Sequence, residues 1–189
     1  SIARTSCWCA IRFERSQKRW KRSFLSARIA VLSAASAARP WIGTASGGLC
    51  RYGQNSDDFE RFSKEPGNPQ SLPHNSILGI TQDAAGSLWF ATRGGLARFR
   101  PASSDFEVIV PQAENYRAPN LSTLRCVLGD RRGGVVWCGS SDGLIAYDPQ
   151  SKACQVYTIP ETVSRGAARN AISAIQQTPD GRLWLASED

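Results

Sequence analysis

Asp83-Ala84-Ala85-Gly86-Ser87-Leu88-Trp89-Phe90-Ala91-Thr92-Arg93-Gly94-Gly95-Leu96 decides the fold, because its pattern returns three more times along the chain. Trp41, Trp89, Trp137 and Trp184 stand 48, 48 and 47 residues apart. The residue after each is Ile42, Phe90, Cys138 and Leu185, and two further along comes Thr44, Thr92, Ser140 and Ser187. A Gly-Leu pair follows as Gly48-Leu49, Gly95-Leu96 and Gly143-Leu144, and Gly86, Gly134 and Gly181 stand three residues before their tryptophans. Offsets that hold to within one residue over nearly 150 positions mark an internal repeat.

Each copy reads as a set of short strands. Asp83, Asp130 and Pro179-Asp180 ahead of the glycines supply turns, since an Asp side chain bonds its own backbone two residues on and Gly accepts positive φ. Leu88-Trp89-Phe90-Ala91-Thr92 is β-prone, apolar and of strand length. Gly94-Gly95 and Asp142-Gly143 are turn dipeptides, so Leu96-Ala97-Arg98-Phe99 and Leu144-Ile145-Ala146-Tyr147 read as returning strands. Ile77-Leu78-Gly79-Ile80 precedes the first turn, and Phe59 to Phe62, Phe106 to Val110 and Cys154 to Ile159 supply a further strand between copies.

Four short strands in a period near 45 residues suit a β-propeller blade, whereas a helical array of that period needs long segments with a 3.6-residue rhythm. No such rhythm runs between Pro40 and Asp189. The expected fold is therefore all-β: a β-propeller fragment of about three and a half four-stranded blades, with an irregular or partly helical N-terminal segment. Residues 40–189 form the repeats, residues 1–39 stand apart, and each Trp is expected to pack between neighbouring blades. Three blades and a fraction do not close into a ring, so the sequence predicts a fragment with unpaired strand edges and half-covered tryptophans at both ends.

The run from Gly67 to Leu96, beginning Gly67-Asn68-Pro69-Gln70-Ser71-Leu72-Pro73-His74-Asn75-Ser76, resembles the two-component regulator propeller repeat. That pattern is Asn-Pro-x-Ser-Leu-x-x-Asn, an apolar run, Asp-x-x-Gly-x-Leu-Trp, Gly or Ala, Thr, then Gly-Gly-Leu. The second copy matches fully and the third well. The first carries Ala38-Arg39-Pro40 in place of the Asp turn, and the last has Thr178 where the Asp belongs.

Residues 1–39 hold nine Lys or Arg against Glu14 alone, a net charge of +8, while the other 150 residues carry 14 basic and 15 acidic groups, net −1. The basic balance is thus local to this segment. Lys18-Arg19-Trp20-Lys21-Arg22 ahead of the run from Phe24 to Ala38 looks like a secretory signal, although Arg28 interrupts its apolar stretch. A diverged or mistranslated blade end and a basic arm are the other readings. Nucleic-acid binding is not expected, because a lone basic run lacks a footprint over the folded surface. The apolar run near Ala30 falls short of the roughly 20 residues that cross a bilayer.

Chemistry finds little support. Cys50, Cys138 and Cys154 align with apolar residues of other copies and read as small buried hydrophobes, and Cys7, Cys9 and Cys126 complete a set without a Cys-x-x-Cys pair. Metal ligation is weakened further because His74 is the chain's one histidine. His74 reads as an exposed loop residue, and no neighbouring carboxylate and nucleophile make it a catalytic base. The Asp-x-x-Gly turns lack the alternating oxygen ligands of calcium loops. No catalytic residue, metal or cofactor is expected.

The resemblance implies a sensor: a non-catalytic, ligand-sensing propeller portion of a bacterial receptor with a histidine kinase or diguanylate cyclase output, periplasmic or extracytoplasmic and held at the inner membrane. Its implied partners are a small-molecule or carbohydrate ligand and the remaining blades and output domain of the parent, with homodimer formation open in the full-length protein. Arg93, Ser141 and Asp142 occupy turns that could face a ligand, though turn position alone does not define a site. The alternatives are a propeller lyase of the streptogramin-lyase type, which would require His74 at the channel, and a protein-interaction scaffold.

Overall fold

A computed structural model describes residues 29–33, 40–53, 58–109, 124–158 and 171–187. Among them there are fourteen strands and no helix. The first sheet runs β1 (Ile29–Ser33), β2 (Trp41–Thr44), β3 (Leu49–Gly53) and β4 (Asp58–Phe62) in sequence order. The second repeats this with β5 (Ile77–Gln82), β6 (Leu88–Thr92), β7 (Gly95–Arg100) and β8 (Asp105–Ile109). The third contains β9 (Leu124–Gly129), β10 (Val136–Ser140), β11 (Gly143–Tyr147) and β12 (Cys154–Tyr157), and the fourth is the pair β13 (Ile172–Gln177) and β14 (Leu183–Ser187). Every pairing is antiparallel.

The four repeat tryptophans occupy β2, β6, β10 and β14, the second strand of each blade. First strands pack against one another from blade to blade, β1 on β5, β5 on β9 and β9 on β13, which sets the sheets side by side as a propeller array. β1 lies inside the basic segment that composition sets apart, and it pairs with β2 through Leu32 to Ile42 and Ser33 to Trp41. The rest of residues 1–39, with its signal-like and irregular or helical readings, lies outside the described residues apart from β1, which is a strand.

Side-chain volumes are matched across the second and third strands. The facing buried pairs are Ile42 with Cys50, Phe90 with Ala97, and Cys138 with Ile145. All six are buried. A larger residue on one strand meets a smaller one on the other, so each blade fills the same space with different residues, the condition for close packing without strain. This pairing is why Cys50 and Cys138 stand where other copies carry apolar groups.

Seams between blades form the core. Trp41 lies against Phe62 of its own blade and Phe90 and Phe99 of the next, with ring centroids 5.5, 5.4 and 4.9 Å apart. Trp89 meets Tyr147 of the third blade at 5.8 Å, edge to face. The expectation of half-covered tryptophans at both ends holds at one end alone. Trp41 is 3% exposed and Trp184 66%. Trp41 and Trp89 are each covered by the blade that follows, so the first is sealed by blade two, while Trp184 has no described blade beyond it.

Candidate functional site

Three turns share one end of the sheets, joining second to third strands at residues 45–48, 93–94 and 141–142. A buried hydroxyl braces each from below. Thr44 Oγ1, Thr92 Oγ1 and Ser140 Oγ donate to the carbonyls of Gly48, Gly95 and Gly143 at 2.8, 2.9 and 2.9 Å. The same oxygens accept from the amides of Gly47, Gly94 and Asp142 at 2.8, 3.1 and 3.1 Å. One hydroxyl thus satisfies two turn groups, which fixes the loop while its side chains face outward. Arg93 and Asp142 are exposed and Ser141 is half-buried. They sit on equivalent turns of neighbouring blades, and no bond joins Arg93 to Asp142.

The connection from β4 to β5 runs past the same end. Asn68 Oδ1 accepts from the Gln70 amide at 3.0 Å, and Ser71 Oγ donates to the Asn68 carbonyl at 2.9 Å and accepts from the Glu65 amide at 3.0 Å. These bonds turn the chain so that Leu72, 1% exposed, plugs the first seam beside Trp41 and Ile77. The Asn75 carbonyl then accepts from Gly48 N at 2.9 Å and the Ser76 carbonyl from Arg93 N at 3.2 Å, tying the connection to the turns of both blades. His74 is half-buried rather than fully exposed, and its Nδ1 accepts from the Ser76 amide at 2.9 Å. Its role in these contacts is to shape the connection.

At the opposite end, the Asp turns do more than turn the chain. Asp83 Oδ2 accepts from Trp89 Nε1 at 2.8 Å, and Asp130 Oδ2 accepts from Trp137 Nε1 at 2.9 Å. Asp130 also receives Gln177 Nε2 from blade four at 3.0 Å, while Gln177 Oε1 accepts from Arg131 N at 2.8 Å. Burial works to raise the Asp130 pKa, but the indole, the Arg132 amide, the Gln177 amide and the Arg132 charge together outweigh it and hold the carboxyl below its ordinary range. This indole bond escapes a reading of Asp-x-x-Gly as a turn, although the Asp that precedes Trp89 by six residues and Trp137 by seven was its visible signal.

Among the described residues, burial disfavours the thiolate of all four cysteines. Burial pushes Cys126 and Cys154 up to about 11 and raises Cys50 and Cys138 as well. Tyr147 is raised to about 12, chiefly by burial. Among the described residues no group of three or more His, Cys, Asp or Glu is placed to hold a metal ion, and no helix is long and apolar enough to cross a membrane. Cys7 and Cys9 lie outside the described residues. The arrangement offers hydrogen-bond donors, acceptors and charge on a fixed loop face.

The family pattern described as two component regulator propeller matches residues 71–94 and 166–189. Among solved structures, the extracellular domain of BT4673 from B. thetaiotaomicron, assigned as a hybrid two component system, aligns at TM-score 0.69 and 22% identity over 84% of this chain and 22% of that one. A second structure of the BT4673 extracellular domain, there assigned as a one component system, gives TM-score 0.67 with the same identity of 22%. The extracellular domain of BT3049 from the same organism, assigned as a hybrid two component system, aligns at 0.54 and 20% identity over 80% of this chain and 24% of that one. The chain therefore spans less than a quarter of these structures' length, and the likeness is one of fold. A comparison with curated proteins found no match.

Proposed function

We propose that this chain, which carries two component regulator propeller repeats, is part of the ligand-sensing propeller of an extracytoplasmic signalling receptor, and that it binds without catalysing a reaction. The ligand is a small molecule or carbohydrate taken on the face of the turns bearing Arg93, Ser141 and Asp142. The receptor is held at the inner membrane, and its output domain and further blades belong to a longer parent. The observation that carries this reading is the buried hydroxyl brace under each turn, which holds the loops while leaving Arg93 and Asp142 in solvent. Binding residues on loops held by a rigid scaffold are the usual device for recognition. Support for the receptor setting comes from the extracellular two component domains that share the fold.

The test is a thermal-shift titration of the chain with a panel of oligosaccharides and small polar metabolites. A concentration-dependent rise in Tm is expected with one class. Arg93→Ala and Asp142→Ala should each abolish the rise while leaving the unliganded Tm unchanged. No response across the panel, or an unaltered response in both variants, would overturn the assignment of this face.

A further inference from the structure

Most arginines of the described residues are committed to the chain itself. Arg51 and Arg100 pair with Glu60 and Asp105, and Arg61, Arg98 and Arg132 donate to the Gly47 carbonyl, Ser87 Oγ and the Asp180 carbonyl. Among the described residues the guanidinium groups of Arg93 and Arg131 have no such partner, and both residues are exposed. Arg93 differs from Arg131 in what lies beside it. A Cβ at Gly94 would stand 2.5 Å from the Pro73 carbonyl oxygen and 3.0 Å from His74 Cβ, so the Arg93-Gly94 turn rests directly on the connection, an approach that only glycine admits.

His74 brings a second donor to the same place. Its Nδ1 accepts from the Ser76 amide at 2.9 Å, so the proton of the neutral imidazole is on Nε2. Among the described residues no group of the chain accepts from that N–H, and the ring is half-buried. The Ser76 carbonyl accepts from Arg93 N at 3.2 Å, so the short step of residues 74–76 positions both side chains. A guanidinium and an imidazole N–H therefore stand on adjoining pieces of fixed backbone, both donors and neither holding an acceptor.

We infer that Arg93 and His74 form a subsite for the anionic group of an acidic saccharide, a carboxylate or a sulfate ester. The guanidinium fork takes the charge, and His74 Nε2–H donates to one of its oxygens. The inference rests on the turns being the binding face and adds the charge of what they bind. Local charge agrees with it. Lys64 is exposed, and its amide is held by Asn75 Oδ1 at 2.6 Å. Glu65, the one carboxylate of the connection, already accepts from Asn68 Nδ2 at 2.8 Å. This positive charge stands on repeats whose residues 40–189 carry 14 basic and 15 acidic groups, so it is no general background. On the next blade Ser141 and Asp142 supply a hydroxyl and an acceptor, which suit the hydroxyls of a sugar rather than its anion. An exposed charge pair alone gives little affinity in water, so selectivity comes from the fork and the fixed N–H acting together.

The experiment is calorimetric titration of the full chain with trigalacturonate, its methyl ester and a sulfated galactotriose. Saturable binding is expected from an anionic probe, and which of them binds separates carboxylate from sulfate. The methyl ester should bind about tenfold more weakly, and Arg93→Gln should weaken the acid by a similar factor, the usual worth of a hydrogen bond to a charged group. His74→Asn keeps an oxygen where Nδ1 accepts from the Ser76 amide and removes the Nε2 donor, so affinity should fall while the unliganded Tm holds. Arg131→Gln makes the same change of charge at the opposite end and should leave binding as it was. Equal affinity for acid and ester, with Arg93→Gln weakening both, would overturn the inference while upholding the turn face. Anion binding that survives Arg93→Gln and His74→Asn, or that Arg131→Gln weakens as much, would place the anion elsewhere and overturn it. Absence of binding by both anionic probes would overturn it too, and a neutral sugar that still raised Tm would keep the broader reading.

Discussion

Trp89 Nε1 donates to Asp83 Oδ2 at 2.8 Å across a turn that the indole itself closes from beneath. Trp89 is 1% exposed, so this carboxylate provides the partner that a buried N–H requires. The fourth repeat separates turn from latch. Thr178 keeps the backbone bonds, with Thr178 N to the Arg182 carbonyl at 2.9 Å and Gly181 N to the Thr178 carbonyl at 2.9 Å, yet it carries no carboxylate for Trp184. The Asp is therefore dispensable for the turn's backbone bonds, and where present it serves both, Asp83 Oδ1 accepting from the Ser87 amide at 2.8 Å while Oδ2 takes the indole.

Asp83→Ala should cost about 1–3 kcal/mol, the penalty for leaving a buried donor unpaired. Asp83→Asn should cost less, because an amide oxygen still accepts. Urea denaturation followed by tryptophan fluorescence checks both, and equal losses would show that the negative charge, rather than an acceptor, matters.

A second ladder crosses three strands. Trp41 faces Arg51, and Arg51 faces Glu60, to which its guanidinium is bonded. The same order recurs as Trp89, Arg98 and Glu107, whereas blade three has Trp137, Ala146 and Gln155. Cation and anion disappear together, which marks them as one unit. The Arg51 side chain is 18% exposed and lies over Trp41, Phe62 and Phe99. Arg51→Ala should destabilise by about 1–2 kcal/mol through lost ring contact and packing of the stem. Arg51→Lys should recover only part of this, because an ammonium does not lie flat on a ring. Thermal unfolding of the three proteins provides the comparison.

The fold was legible because the Trp, hydroxyl, Gly-Leu and Asp positions each perform one geometric task in every blade. Spacing alone therefore placed Trp41, Trp89, Trp137 and Trp184 on second strands. Two things were hidden. β1 sits in a basic, alanine-rich stretch with no Asp turn after it, and nothing in Ile29 to Ser33 separates an inner strand from a signal-like apolar run. The volume exchange between Phe90 with Ala97 and Cys138 with Ile145 depends on register, which exists only after the strands pair. Of the candidate turn residues, Arg93, Ser141 and Asp142 were findable because Gly-rich dipeptides mark hairpins. The hydroxyl brace beneath them was visible as Thr92 and Ser140 without its purpose being so.

Gly139 lies two residues after Trp137, where the other copies carry Gly43, Ala91 and Ala186. A Cβ at Gly139 would stand 2.7 Å from the Ile172 carbonyl oxygen and 2.9 Å from Ile172 Cγ2 of the next blade. Because backbone must move to admit it, Gly139→Ala should destabilise by about 1–3 kcal/mol although alanine is native at the matching Ala91. Chemical denaturation should show the loss, and faster hydrogen exchange at the β13 amides would locate it at this seam. An unchanged midpoint would mean that blade four adjusts its distance freely.

Asp130 links blades three and four, since its Oδ2 accepts from both Trp137 Nε1 and Gln177 Nε2. Its pKa is lowered in the folded protein: burial opposes the shift, and the indole, amide and Arg132 interactions outweigh it. A depressed folded pKa means that the native state favours the carboxylate more than the unfolded chain does. The contribution to stability is therefore fully present above the unfolded value of about 3.9 and is lost as pH falls through the lower folded value. Protonation would also weaken the acceptor that joins Gln177 to the turn, so the β13–β14 pair should loosen first on acidification. Wild type and Asp130→Asn should be compared by urea titration from neutral pH down to about 2.5, spanning that window. The wild-type advantage should shrink as pH drops below about 3.9. A constant gap across the range would show that Asp130 acts through hydrogen bonds that protonation leaves intact.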